Sequence, residues 1–344
     1  MCKLLDLIIL NKEDTKLQTS HLQFGFKTGV STYMAASVVQ ETVDYYTNRG
    51  GTVYGLALDA SKAFDRVEFV KLFECLIKRN VNIVVVRFLL NMYLNQEVKV
   101  RFNKACSDLF HVTNGVKQGG ILSPRLFNVY VDVLLESLRE SGFGCRIGDQ
   151  YVGCISYADD IFILTASLYS LKQMIMICEN YASDFQVKFN GNKSKLIIFR
   201  KGNIEYNPCI YVNSEKVEIV KELNYLGFMI SSNHGDICLT NLIKDFNFKV
   251  NCFLGNFNQL TSELKNKLFS VYCSSYYGSH LCNLHQLENI NTQWRCAIRR
   301  VWGLPYRAHN NLLFHICKFL PPEVEFHKRF VQYFKMRIIF NHIC

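Results

Sequence analysis

Two adjacent carboxylates, Asp159 and Asp160, lie between two strand-like apolar runs, at residues 151–156 and 161–164. If these runs pair as a hairpin, the acidic pair falls at or just after a tight connection. Mutual repulsion then makes both carboxylates costly to keep ionised, and a divalent metal ion is the natural counter-charge. Taken alone, the pair is also consistent with an Asp-rich surface turn.

A third carboxylate, Asp59, follows directly on another apolar run, residues 55–58. The small residue Ala60 comes next, so the backbone can approach a phosphate or a metal ion there without obstruction from a side chain. Phe64 lies one helical turn further along the chain. The following pair, Asp65 and Arg66, has a simpler interpretation as a cap and ion pair at the start of the next helix.

Between these acids lies a glycine-containing loop, residues 114–122, which leads into an amphipathic run at 126–138. Ser123 followed by Pro124 predicts the start of a helix, and the glycines before it permit close approach of the backbone. A single loop of this kind is weak evidence for a site, because it can be only a turn.

Taken in chain order, the three pieces resemble the reverse transcriptase of non-LTR (LINE-type) retrotransposons. They are Asp59 with the Ser-Lys-Ala-Phe-Asp run after it, residues 115–124 with their Gln-Gly-Gly core, and residues 157–160 (Tyr-Ala-Asp-Asp). The resemblance extends to residues 21–26 (His-Leu-Gln-Phe-Gly-Phe), which are similar to the family's Gln-x-Gly-Phe motif. Residues 190–195 (Asn-Gly-Asn-Lys-Ser-Lys) resemble its lysine motif, and residues 225–227 (Tyr-Leu-Gly) resemble its primer grip. Six motifs in the family's order make the resemblance specific.

The resemblance implies transfer of a deoxynucleotide to the 3′-hydroxyl of a DNA primer on an RNA template. Such a reaction uses two Mg²⁺ ions, for which Mn²⁺ can substitute, held roughly 3.5–4 Å apart. The resemblance implies metal binding and catalysis for Asp59, Asp159 and Asp160, with a main-chain metal ligand at Ala60. It implies that Phe64 excludes the 2′-hydroxyl of rNTPs, and that Gln118 and Gly119 contact the incoming dNTP and the template base. Primer contact is implied for Tyr225, Leu226 and Gly227.

The lysine motif leaves one assignment open. Lys193 stands where the family's motif would provide a proton donor to the leaving pyrophosphate, but Lys195 is close by in the sequence. For both lysines, a solvated surface position is an equal alternative.

Composition agrees with a nucleic-acid enzyme. The 344 residues are 49% hydrophobic and 20% charged, which is typical of a globular chain, and carry a formal charge of +10. From residue 233 onward, 13 Lys and Arg stand against 6 Asp and Glu, so most of the net positive charge lies in the C-terminal third. Arg295, Arg299 and Arg300 recur near one helical face there, which favours contact with a phosphate backbone over an ordinary solvated face.

We therefore expect an α+β polymerase right-hand fold, with partial fingers at 1–50, a palm at 51–231 and a helical, basic thumb at 232–344. The palm is expected to be an antiparallel sheet backed by helices. Its predicted helices are 31–46, 69–79 and 168–181, and its predicted strands are 52–58, 98–102, 151–157, 162–165 and 196–199. The C-terminal third is predicted to hold helices at 241–254, 263–277 and 292–302, beyond a boundary at 231–236.

Departures from the family define the alternatives. The Arg-Pro-Ile-like finger segment that holds the triphosphate is not visible before Gln23, so we expect truncated fingers, and we see no endonuclease motif or Cys-His knuckle. The alternative function is a catalytically silent remnant that only binds nucleic acid, and a nucleotide cyclase is a distant third. No apolar run reaches the roughly 20 residues that cross a bilayer, so we expect a soluble protein of the cytoplasm or nucleus.

Overall fold

The chain is described by a computed structural model that covers residues 2–202, 208–232, 239–257, 260–274, 276, 279 and 287–341. The described residues form two compact units. The first contains the chain through Leu226 together with Ser232, and the second contains Gly227–Ser231 and the described residues from Leu239 onward. Most of the predicted boundary, residues 233–236, lies outside the described residues. The division into fingers, palm and thumb stays a prediction.

Helices account for much of both units. Those of the described chain are α1 (Cys2–Glu13), α2 (Thr32–Thr47), α3 (Phe69–Lys78), α4 (Ile83–Leu94), α5 (Ser123–Glu140), α6 (Leu168–Asp184), α7 (Leu239–Phe257), α8 (Ser262–Tyr272), α9 (Leu287–Trp302), α10 (Asn310–Cys317) and α11 (Pro322–Asn341). A 3-10 turn spans Ala63–Arg66. The predicted start of α5 is confirmed, with Pro124 in its first turn. None of these helices is both long and apolar enough to cross a membrane.

The strands are mostly short, apart from three that form the centre of the first unit. They are β1 (Val53–Ala60), β2 (Glu97–Val98), β3 (Arg101–Phe102), β4 (Ala105–Cys106), β5 (Phe110–His111), β6 (Arg146–Ile147), β7 (Gln150–Tyr151), β8 (Cys154–Tyr157), β9 (Asp160–Thr165), β10 (Phe189–Phe199), β11 (Tyr211–Val212), β12 (Glu215–Lys216), β13 (Glu218–Val220), β14 (Glu222–Tyr225) and β15 (Phe228–Ser231).

The five-stranded sheet of the first unit has the order β13-β10-β1-β9-β8. Its pairs are antiparallel, as predicted, except that β13 runs parallel to β10 at the edge. The central strand β1 pairs with β9 from Tyr54 opposite Thr165 to Leu58 opposite Ile161. Both faces of this sheet are covered, which explains the almost continuous apolar run of β9.

One face of the sheet packs against α5 and α6, and α3 packs on α5. These elements share a single core that includes Leu56, Leu58 and Ile163. On the alternate face, α2 packs on β1 and β8. Phe162 and Tyr225 also meet, with ring centroids 4.8 Å apart.

Two strand predictions were wrong. Residues 98–102 split into β2 and β3, which belong to different hairpins, and every residue from 99 to 111 is exposed. Their apolar alternation therefore covers no core. The predicted strand 151–157 is interrupted after Tyr151, because Gly153 approaches Gly144 so closely that an added Cβ would lie 2.7 Å from the Gly144 Cα.

Candidate active site

The acidic pair lies at a two-residue hairpin turn, so the predicted hairpin is confirmed. Strands β8 and β9 end their ladder with Tyr157 opposite Asp160, which leaves Ala158 and Asp159 as the turn. Ala158 has a φ of 57°, in the left-handed region that residues other than glycine rarely adopt. The turn therefore needs support from its surroundings to keep this shape.

Asp59 lies at the same end of the sheet. The last bridged pair between β1 and β9 is Leu58 and Ile161, and Asp59 and Asp160 are the next residue on each strand. On its other side, Asp59 lies opposite Asn190 of β10. The register thus brings acids that are a hundred residues apart in the sequence to one sheet edge.

The charges of this edge act on one another. Partial burial raises the pKa of Asp159, and the charge of Asp59 raises it further, against a bond from its own backbone N–H. Desolvation at the hairpin end raises the pKa of Asp160, which the charges of Asp159 and Asp59 also raise. None of the three carboxylates forms an ion pair with a described residue.

This donor set fits a divalent metal in its chemistry. Mg²⁺ prefers carboxylate and carbonyl oxygens, and the repulsion that raises these two pKa values is what a cation cancels. The side chains are not gathered into a ligand shell, however. Across the described ranges, no three His, Cys, Asp or Glu side chains converge closely enough to hold a metal ion.

Two further predicted residues follow Asp59. Ala60 ends β1 opposite Phe189 and is half-buried. Phe64 lies in the 3-10 turn and is half-buried. Its ring stacks on Phe127 of α5 with centroids 4.1 Å apart and meets the edge of Phe26 at 6.2 Å. Phe64 is therefore held in a fixed position by two other rings.

The glycine-containing loop is anchored on this 3-10 turn. The N–H of Gly115 donates to Val67 O (2.8 Å), and the N–H of Val116 donates to Phe64 O (2.9 Å). Gly115 has a φ of 91°, and an added Cβ would lie 2.9 Å from Asp65 O. The Gln118 amide donates to Asp65 Oδ1 (2.9 Å), so Asp65 supports the loop and does not begin a helix. Gly119 is exposed, with a φ of 78°.

The lysine motif forms a bulge in β10. Ala57 lies opposite Lys195, whereas Asp59 lies opposite Asn190, so the β10 chain between them is looped out. Lys195 makes an ion pair with Glu218 of β13. Lys193 is exposed in the bulge, and its side chain has no ion pair with a described residue. The two lysines thus have different surroundings.

The residue that closes this bulge, Ser194, was not predicted. Its hydroxyl accepts the N–H of Asp59 (3.1 Å) and donates to Asn190 O (2.7 Å), and the residue is 1% exposed. Its position between two lysines is the sequence signal that could have marked it. Ser194 connects the backbone of Asp59 to the lysine motif.

The primer-grip residues are mixed in their exposure. Tyr225 is 4% exposed and packs on Phe162, and its hydroxyl has no hydrogen-bond partner among the described residues. Burial and the charge of Asp160 raise its pKa well above the ordinary value. Leu226 is half-buried with a φ of 52°, and Gly227 is exposed with a φ of 84°. Any direct contact with a primer would fall to the last two.

The three arginines of α9 are engaged within the second unit. Arg295 makes an ion pair with Glu288 at 3.1 Å. Arg299 donates to Ala308 O (2.8 Å) and to Asn310 Oδ1 (2.7 Å), and Arg300 donates to Asn251 Oδ1 (2.9 Å). These partners are structural, and contact of the arginines with a template or primer stays a prediction.

Comparison with known proteins gives the family. The family model described as reverse transcriptase (RNA-dependent DNA polymerase) matches residues 1–230. The transposon TX1 149 kDa protein of Xenopus laevis is 26% identical over 198 residues, which are 57% of this chain and 15% of that protein. The Pol polyprotein of element R2DM of Drosophila melanogaster is 24% identical over 231 residues, 65% of this chain and 22% of that protein.

The RNA-directed DNA polymerase from mobile element jockey of Drosophila melanogaster matches a longer stretch. It is 23% identical over 333 residues, which are 88% of this chain and 35% of the relative. The chain thus spans 15 to 35% of the length of these three relatives.

Among solved structures, telomerase from Candida albicans in complex with the TWJ fragment of telomeric RNA is similar in fold. It is 11% identical, with a TM-score of 0.50, and the likeness covers 93% of this chain and 58% of that one. The predicted α+β right-hand fold is confirmed at this level.

Proposed function

Because the chain belongs to the reverse transcriptase family and carries the polymerase domain of a LINE-type element, we propose that it extends a DNA primer with dNTPs on an RNA template. The observation that carries this proposal is the register of β1 and β9, which brings Asp59 and Asp160 side by side with Asp159 at the adjoining turn. That arrangement is where two-metal nucleotidyl transfer needs its carboxylates.

Asp59, Asp159, Asp160 and the carbonyl of Ala60 would hold the divalent ions. When bound, such ions lower the pKa of the primer hydroxyl and neutralise the triphosphate. The protein's own contribution is to present these oxygens from rigid strands. A carboxyl group binds a cation in its ionised form. Because the pKa values of Asp159 and Asp160 are raised, cation binding by these two acids should weaken at a higher pH than it would for ordinary carboxyl groups.

Selection of the nucleotide is assigned to the 3-10 turn and the loop docked on it. The ring of Phe64 is braced by Phe127, so it cannot easily yield to a ribose 2′-hydroxyl, which favours dNTPs by exclusion. Gln118 and the exposed Gly119 would contact the incoming nucleotide and the template base. The bond between Gln118 and Asp65 orients that amide.

We assign the proton-donor role of the lysine motif to Lys193. Lys195 is paired with Glu218, whereas the Lys193 ammonium lies on the exposed bulge next to the Asp59 strand. An ammonium group there is suited to donate a proton to the leaving pyrophosphate. Primer contact is assigned to Leu226 and Gly227, with Tyr225 supporting them from the core. We also propose the cytoplasm or nucleus as the compartment in which the chain acts.

The test is incorporation of dTTP on poly(rA) primed with oligo(dT), with Mg²⁺ or Mn²⁺. The purified chain is compared with the Asp159→Ala, Asp160→Ala double variant and with a control double variant, Asp108→Ala, Asp149→Ala, whose acids are exposed and belong to none of the six motifs. We expect extension by the wild type and the control, and none by the acidic-pair variant. Salt-sensitive binding of primer–template by all three without extension would instead support the silent remnant.

A further inference from the structure

The turn that carries the acidic pair is held by a residue far away in the sequence. Ala158 is 5% exposed and has a φ of 57°, so its peptide group is both buried and in an unfavourable conformation. Buried backbone N–H and C=O groups need partners. Strand pairing supplies none for Ala158, because the ladder ends at Tyr157 and Asp160.

Gln23 supplies these partners. It is 0% exposed, and its Oε1 accepts the N–H of Ala158 at 2.9 Å, while its Nε2 donates to Ala158 O at 3.4 Å and to Ser156 Oγ at 3.0 Å. The Ser156 hydroxyl in turn donates to Ala158 O at 3.0 Å. The amide orientation is unambiguous, because only the oxygen can accept from a backbone N–H.

The segment around Gln23 is itself fixed to β8. The N–H of Phe24 donates to Ser156 O (2.7 Å), and the N–H of Ser156 donates to Leu22 O (2.8 Å). Asn128 of α5 donates to Gly25 O at 2.8 Å. Gly25 lies against the turn so closely that an added Cβ would be 2.4 Å from the N of Ala158. The clamp therefore has a hydrogen-bonding part, Gln23, and a steric part, Gly25.

We propose that Gln23 is a positioning residue for nucleotidyl transfer. By holding both polar groups of the Ala158 peptide, it sets the direction in which Asp159 and Asp160 leave the turn. The proposal deepens the polymerase function and rests on it. All of the contacts that carry it lie within residues 22–25, 128 and 156–158.

Three substitutions test the clamp from different sides. Gln23→Met keeps the length of the side chain and removes its hydrogen bonds. Gln23→Glu keeps an acceptor for the Ala158 N–H but replaces the donor with a second oxygen facing Ala158 O. Gly25→Ala retains the Gln23 side chain and pushes the turn by its added methyl group, which would lie 2.4 Å from the N of Ala158.

Matched controls accompany them. Gln150→Glu makes the same chemical change at an exposed position of β7. Gly255→Ala makes the same change within α7, where an added Cβ meets no atom within 4 Å. Both controls are expected to behave as the wild type.

The first readout is amide hydrogen exchange, which does not require activity. We expect faster exchange in peptides covering residues 157–160 for Gln23→Met and Gly25→Ala, with β1 and α6 unchanged. The second readout is single-nucleotide addition, where kcat should fall on the order of 10- to 100-fold while KM for the dNTP stays within about twofold, as for misplaced catalytic groups.

The outcomes separate the clamp from the polymerase. Exchange at 157–160 that stays at the wild-type rate, or exchange that rises there while kcat is unchanged, would overturn the proposal and leave the polymerase function standing. If Gln23→Met does not fold, Gly25→Ala and Gln23→Glu decide by the same two readouts. A wild type that adds no nucleotide would reject the polymerase function and, with it, a positioning role for Gln23.

Discussion

Asp160 serves the reaction we propose as a metal ligand, but its charge lowers the stability of the fold. Its pKa is raised from the ordinary 3.8 by desolvation and by the charges of Asp159 and Asp59. Just above that ordinary value, the folded chain holds a proton that the unfolded chain has lost. The free energy of unfolding therefore falls as the pH rises through this window.

Replacing Asp160 with Asn removes this penalty. In metal-free buffer at neutral pH we expect Asp160→Asn to raise both Tm and the free energy of unfolding. The gain in unfolding free energy should be less than about 1 kcal/mol, because the side chain is exposed and solvent screens its charge. The gain should vanish below the ordinary carboxyl pKa. Mg²⁺ should stabilise the wild type more than the variant. Thermal unfolding against pH measures this, with Asp149→Asn as control, and a variant less stable than the wild type at every pH would contradict it.

Phe64 is predicted to select dNTPs over rNTPs by excluding the ribose 2′-hydroxyl. Phe64→Val shortens a side chain that Phe127 now braces, and discrimination against rNTPs should fall by about 10- to 100-fold. Competitive incorporation of dNTP and rNTP measures the ratio. Phe143→Val is the matched control, since Phe143 is also half-buried and meets one ring, Tyr169, at 6.0 Å. Equal losses of discrimination in both variants would exclude a steric gate at Phe64.

At the scale of elements, the β10 bulge depends on Ser194. Ser194→Ala leaves the N–H of Asp59 and the carbonyl of Asn190 without their partner, and we expect the unfolding free energy to drop by about 1–3 kcal/mol. Urea denaturation measures it. The control is Ser137→Ala, an exposed serine whose hydroxyl bonds within its own helix to Val133 O. Equal stability of the two variants would show that the bulge does not need this hydroxyl.

The arginines of α9 give a second prediction at this scale. Arg299 bonds to Ala308 O and Asn310, so Arg299→Ala should destabilise the second unit by about 1.5–3 kcal/mol. Fluorescence is a selective probe, because both tryptophans, Trp294 and Trp302, belong to α9. The exposed Arg307, replaced by Ala, serves as control. An unshifted transition in Arg299→Ala would leave that side chain available for phosphate contact.

The elements show why sequence patterns succeeded in some places and failed in others. The helices predicted at 31–46 and 168–181 are confirmed, as α2 and α6, because their apolar residues repeat at the helical period and both bury that face. The alternation at 98–102 looked like a half-buried strand, yet Phe102 is 77% exposed. Alternation of apolar and polar residues indicates that one face of a strand could be buried. Whether that face is buried depends on the tertiary packing of other elements against it.

At the scale of the whole molecule, the net charge of +10 should govern affinity for nucleic acid. We expect binding of primer–template to weaken as salt rises, and replacement of the exposed Arg307 and Lys267 by Ala to reduce the slope of log affinity against log salt by about 1 each. Fluorescence anisotropy over a salt series measures the slope. A slope that these variants leave unchanged would place the phosphate contacts elsewhere.

The three carboxylates show how much of the site could be predicted from the sequence. Asp59 was recognisable as an acid directly after an apolar run, and Asp159 and Asp160 as an acidic pair between two such runs. The hairpin was expected to place the pair against the strand end that carries Asp59. The contacts that hold them were not predictable. Gln23 and Ala158 are separated by 135 residues, and Ser194 and Asp59 also by 135. Such pairs depend on the order of strands in the sheet, which local patterns do not encode.

The most direct test of the central claim is single-turnover addition of one dNTP by variants of two of the three acids, Asp59 and Asp159. Asp59→Asn, Asp159→Asn and Asp59→Asn combined with Asp159→Asn are compared with the wild type and Asp149→Asn. If the acids act as one metal-binding unit, each single variant should lose on the order of 10³-fold or more, and the double variant should be no slower than the worse single one. A near-wild-type rate in either single variant, or losses that multiply in the double variant, would contradict the account.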